Sequence, residues 1–122
     1  MTDRTKSALA VLGQPDRKFA YDLGGVPVPY LALSNKELDL IDAIPTATPE
    51  GLDDAEMLDF LREKRWLESE AAYHMLCKRL GTKGPQSVEE VHDLLNADLF
   101  YPWVNSLMRG DKGEPVGATD SP

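Results

Sequence analysis

Two prolines set two residues apart, Pro27 and Pro29, lie in "FAYDLGGVPVPY" (19–30), a stretch that otherwise alternates like a β-strand. They constrain the fold more than any other feature. Each removes a backbone donor, so a strand tolerates it only where that donor would face away from a neighbour. The adjacent Gly24 and Gly25 provide the setting, because both can take the positive φ that two-residue hairpin turns require. A turn there places Leu23 opposite Val26, Tyr21 opposite Val28 and Phe19 opposite Tyr30 as hydrogen-bonded pairs, with their apolar groups on one face. Pro27 and Pro29 then fall opposite Asp22 and Ala20, where their missing donors point outward. The expectation is a β-hairpin over about 17–33 whose second strand is an edge blunted against further pairing. A polyproline-like loop is the competing reading. The free edge of the first strand, 18–22, has no such block.

After the hairpin the pattern becomes helical, punctuated by three capping boxes: Ser34 with Glu37, Asp53 with Glu56, and Ser87 with Glu90. In each, the first side chain accepts from an orphan N–H while the glutamate reaches back to the cap. The first helix is expected from about 35 to 43, burying Leu38 and Ile41 with Leu40 and Ile44. A long helix follows over about 54–80, roughly 40 Å in length, with Gly81 as its stop. Its apolar residues spread over a broad arc, which calls for two neighbours, or a neighbour and a partner. A third helix is expected over about 88–99 with Val91, Leu94 and Leu95 inward, and a short fourth one opened by Pro102. The fold class is therefore α+β, mostly α: an N-terminal hairpin and then three to four helices, one of them long. Three regions are expected. They are an N-terminal arm (1–16) whose 8–12 patch forms a short helix or folds only on binding, a single globular domain (17–110), and a disordered tail (111–122) with Val116 as its one core former.

Charge is unevenly distributed. The net charge is −8 over 122 residues. The stretch 34–59 holds eight acids and one lysine, whereas 60–83 holds six bases and three acids. Acidity of this kind repels nucleic-acid phosphates, so no nucleic-acid partner is expected. The acidic stretch reads either as a solvated face or as a surface that meets a basic partner. No apolar run reaches the length of a membrane span, and no signal peptide is read at the start. The single cysteine, Cys77, allows no intrachain disulfide and fits a reducing, cytoplasmic location.

Candidate chemistry is sparse. Glu70 and His74 are spaced to touch one metal ion, but a site needs more ligands, and a helix-surface pair explains them as well. His92 is expected to face solvent. Cys77 lies one turn from His74, yet a nucleophile needs a base and an electropositive niche, and a small structural apolar residue is the plainer role. Arg62, Lys64, Arg65, Lys78, Arg79 and Lys83 mix with Trp66 and Tyr73. They spread over several helix faces, which favours charge partners for the acidic first helix over a nucleic-acid site. No catalytic residue, cofactor or metal is expected. "LFYPWV" (99–104) reads either as core or as a partner anchor.

The layout resembles the tail assembly chaperones of long-tailed bacteriophages. In that family a short N-terminal β segment with a "GG" or "GK" turn leads into an "LS/LT-x-x-E-L" helix start, an acidic helical body and a loose C-terminus. The matching pieces are "FAYDLGGVPVPYLALSNKELDLIDAI" (19–44), the helical region to Met108, and the tail from Asp111. The resemblance implies a non-enzymatic viral protein in the host cell cytoplasm. It would bind the tape-measure protein, keep it in solution and assist tail-tube assembly, with homo-oligomerisation left open. Candidate partner contacts are Trp66, Tyr73, Tyr101 and Trp103. The alternative class is a small acidic inhibitor that mimics nucleic acid on a basic partner protein.

Overall fold

The computed structural model describes residues 13–116. β1 (Asp16–Leu23) and β2 (Val26–Tyr30) form the expected antiparallel hairpin. They are followed by α1 (Asn35–Asp42), α2 (Asp54–Leu80), a single 3-10 turn (Gly81–Lys83), α3 (Val88–Leu94), α4 (Ala97–Met108) and β3 (Glu114–Pro115). The fold class is α+β with one long helix, as the sequence implies. The 8–12 patch of the arm and residues 117–122 lie outside the described residues.

Gly24 and Gly25 take φ of 62° and 94°, and the Asp22 carboxylate accepts from the Gly25 N–H at 2.8 Å. Leu23 pairs with Val26, Asp22 with Pro27, Tyr21 with Val28 and Ala20 with Pro29. Strand order β2-β1-β3 leaves β2 outermost, so both prolines turn their donor-less nitrogens to the free side. The expected Phe19–Tyr30 pair is not formed. The ladder slips between Asp16 and Ala20, and Tyr30 pairs with Asp16. Asp16 accepts from the Lys18 N–H at 3.0 Å, a local bond that bends the strand and breaks the register. Phe19 pairs with Pro115 instead, and Ala20 with Glu114.

That second pairing corrects the expectation of disorder over 111–116. The segment has almost no apolar residue to bury; polar contacts hold it. The Asp111 N–H donates to the Ser106 carbonyl at 2.9 Å, and the Val116 N–H to the Lys18 carbonyl at 2.7 Å. The Lys112 ammonium lies 5.2 Å from the Phe19 ring centre and 5.7 Å from that of Tyr30, and 3.8 Å from the Asp16 carboxylate. Gly113 (φ +86°) passes so close to β1 that a Cβ there would lie 2.3 Å from the Ala20 carbonyl oxygen.

The first two capping boxes close on both sides. The third closes on one: Ser87 accepts from the Glu90 N–H at 3.1 Å, but Glu90 reaches one residue further back and accepts from the Gln86 N–H at 3.0 Å. Gly81 (φ 60°) ends α2. The expected helix over 88–99 is two helices. Leu95 is extended (ψ 143°), and Asn96 caps a new helix by accepting from the Leu99 N–H at 3.1 Å. Pro102 therefore sits inside α4 rather than at its first position. The carbonyl it leaves unpaired, at Asp98, belongs to an exposed residue of the first turn.

The core forms where the second half of α2 meets the hairpin, α3 and α4. Ala71, Ala72, Met75 and Leu76 face Leu23 and Val28, Val91, and Phe100, Trp103, Val104 and Leu107. No residue of the first half of α2, 54–67, is fully buried. In α1 the expected apolar stripe is only half-buried, and Ile44 is buried just after the helix; the buried residue within it is an acid, Glu37.

Glu37 is buried because Arg79 is. Arg79 continues the inward stripe of Ala72, Met75 and Leu76 at helical spacing, and both charged side chains are fully inaccessible. The guanidinium donates through Nη1 to Glu37 Oε2 at 2.5 Å and to the Met75 carbonyl at 3.0 Å. Through Nη2 it donates to the Leu31 carbonyl at 2.6 Å. It also lies 5.9 Å from the Trp103 ring centre. Its Nε has no partner among the described residues. Burial works to raise the Glu37 pKa, but hydrogen bonds from Arg79 and from the Ser34 N–H, with the charges of Arg79 and Lys78, outweigh it and leave the pKa below the ordinary carboxylate value. One buried cation thus joins the hairpin exit, the start of α1, the end of α2 and α4.

Candidate functional site

The end of the hairpin and α3 stand apart over the last turns of α2 and enclose an open apolar groove of about 380 Å³. Its floor is Leu76 and Leu80, which the inward stripe of α2 continues beyond the core. Leu23 and Val26 form one wall and Val91 and Leu94 the other, with Lys83 and Glu90 as its charged lining residues. The hairpin turn is braced, because a Cβ on Gly24 would come 3.3 Å from Leu99. Val26 is 48% exposed and Leu94 76% exposed. Exposed apolar groups gathered at a concave surface mark interaction sites more often than chance does.

Sequence reasoning expected Leu94 to point inward with Val91 and Leu95. It points outward because the helix stops at Leu94 and the chain turns extended at Leu95. The signal was available: Asn96 is a cap residue placed before "ADLF", which ends the preceding helix before it and starts a new one.

The four expected contact residues do not form one surface. Trp103 is 1% exposed and belongs to the core; its indole packs under Arg79 and offers nothing to a partner, which corrects its assignment as an anchor. Trp66 is 37% exposed, with its ring edge-on to His92 at 5.3 Å. Tyr73 is half-buried beside Cys77, whose hydrogen bond and proximity push the phenol pKa up. Trp66 and Tyr73 share one face of α2, seven residues apart. Tyr101 is on another side, where its hydroxyl donates to Glu68 Oε2 at 2.5 Å. Burial, then that hydrogen bond and the Glu68 charge, raise its pKa. It borders a smaller cavity of about 220 Å³ with Ile41, Ile44 and Lys64.

The groups with chemical potential are occupied structurally. The Cys77 thiol donates to the Pro85 carbonyl at 3.4 Å. The Ser69 hydroxyl lies 3.0 Å from His92 Nδ1, a contact the sequence did not suggest. Ser69 is 3% exposed and bonds the Arg65 carbonyl within its own helix at 2.9 Å, so this hydroxyl cannot reach a substrate. His92 is exposed, as expected, but leans on Trp66. Glu70 and His74 gain no third ligand, and among the described residues no group of three His, Cys, Asp or Glu is placed to hold a metal. Among the described residues no helix is long and apolar enough to cross a membrane.

Comparison with protein-family models, with curated proteins and with solved structures gives no match to this chain.

Proposed function

We propose that this chain is a non-enzymatic binding protein that acts in phage tail assembly, holding the tape-measure protein in solution in the host cell cytoplasm and assisting assembly of the tail tube. The groove between the hairpin turn and α3 carries this reading, as an open apolar surface on a rigid base that suits capture of an apolar helical segment. The likeness of 19–44 to the family's β segment and helix start supplies the biological setting. The negative net charge helps keep a bound complex dispersed. Co-expression with the tape-measure protein tests the reading. The client should move from the pellet to the supernatant only when this chain is present, and a client that pellets equally in both cases ends the idea.

A second reading has its own support. Of the eight acids in 34–59, Glu37 is buried and the other seven are exposed. Such a surface fits an inhibitor that occupies the nucleic-acid site of a basic protein. Salt separates the two. A charge mimic loses affinity steeply as ionic strength rises, whereas capture through apolar contacts holds.

A further inference from the structure

The groove is specific about what can enter it. An extended peptide captured beside the hairpin would add to the free side of β2. Pro27 and Pro29 strip that side of donors at alternate positions. An occupant whose backbone is already satisfied within itself meets no such obstacle, which selects a helix. The floor and walls, Leu76 and Leu80 with Val26, Val91 and Leu94, call for an apolar stripe on that helix.

The surroundings decide its flanks. Exposed Glu89, Glu90 and Asp93 stand on α3, and exposed Asp98 opens α4. Asp22 is exposed beside the turn. No lysine or arginine occurs from 84 to 108; among the described residues Lys83 is the one cation lining the groove. Acidic ground around an apolar slot favours cationic flanks through encounter rate and register.

We propose that the groove takes an amphipathic helix of a partner protein, with branched apolar residues along its buried stripe and Lys or Arg on its flanks. The inference rests on the protein-binding reading above and adds the chemistry of what is bound.

Three labelled peptides of about 14 residues, long enough for a helix to form on binding, test it by fluorescence anisotropy with the full chain. One has a Leu/Ile stripe with Lys flanks, one the same stripe with Glu flanks, and one Lys flanks with an Ala stripe. The Lys-flanked apolar peptide should bind at least about tenfold more tightly than either other peptide. Leu94→Asp, at an exposed site that leaves the fold intact, should weaken it by a similar factor. Glu90→Lys, at the acid that lines the groove, should shift preference toward the Glu-flanked peptide. Circular dichroism of each variant confirms folding. Equal binding of Lys- and Glu-flanked peptides, or an undiminished Leu94→Asp, overturns the inference. The two readings separate cleanly. A chain that binds the Lys-flanked peptide but leaves the tape-measure protein in the pellet keeps this inference and ends the tail-assembly reading. If Leu94→Asp still holds the tape-measure protein as the parent does, the reverse follows.

Discussion

Arg79 and Glu37, forty-two positions apart in sequence, meet at 2.5 Å with neither side chain exposed. Removing one partner strands the other as a buried charge. Arg79→Met should therefore cost about 3–5 kcal/mol, read as a lower urea midpoint. Glu37→Leu alone should cost a comparable amount, and the double variant should regain part of the loss. The recovery stays partial because the Leu31 and Met75 carbonyls lose their donor in either background. A double variant less stable than the sum of its parts would remove the pairing argument.

The same pair sets a pH dependence. The folded Glu37 pKa is lowered from the ordinary carboxylate value of 4.5, so the unfolded chain takes up this proton first as pH falls. The stabilisation is complete above that value and is lost as pH drops through the depressed folded pKa. Urea midpoints of the parent and of Glu37→Gln, followed from neutral to acid pH, should differ most at neutral pH and converge in acid. A constant difference would mean that Glu37 is not charged in the folded protein.

Gly113→Ala should loosen β3. A Cβ there meets the Ala20 carbonyl oxygen at 2.3 Å and the residue holds φ at +86°, so the backbone must shift or the strand must detach. A loss of about 1–3 kcal/mol is expected, with faster hydrogen exchange at the Val116 amide, whose bond to Lys18 closes the sheet on that side. Exchange at Val116 unchanged from the parent would mean that the close approach is relieved elsewhere.

Replacing Pro27 and Pro29 with valine should barely alter stability, since their nitrogens face no partner. It should restore a row of donors along β2 and promote association in a concentration-dependent manner, seen by light scattering. A doubly substituted chain that stays as dispersed as the parent would show that another feature guards this side.

Local rules made much of this fold legible. Two adjacent glycines imposed the turn and the facing pairs through Ala20, and the caps at Ser34 and Asp53 placed α1 and α2. What escaped was long-range. Arg79 reads as a charge partner of the acidic first helix, and it pairs with Glu37 there; its depth escaped because charge patterning says nothing about burial, though its place on the stripe of Ala72, Met75 and Leu76 was an available clue. Polar 111–116 read as a free tail because apolar content ignores strand pairing and lysine–aromatic contact. The break at Leu95 was masked by the apolar run around it, and with it the outward turn of Leu94 that shapes the groove. For Trp103 residue type left core and partner anchor both open, and packing against Arg79 decided for core.

The uneven anchoring of α2 divides its cooperativity. Amides from Glu68 to Leu80 should exchange only when the whole molecule unfolds, since buried side chains of this half build the core. Those of 54–64, resting on half-covered Met57, Phe60 and Leu61, should unwind at a fraction of that free energy. Filling the groove, which lies over the other half, should leave exchange across 54–64 as it is, so the two halves of one helix report separately.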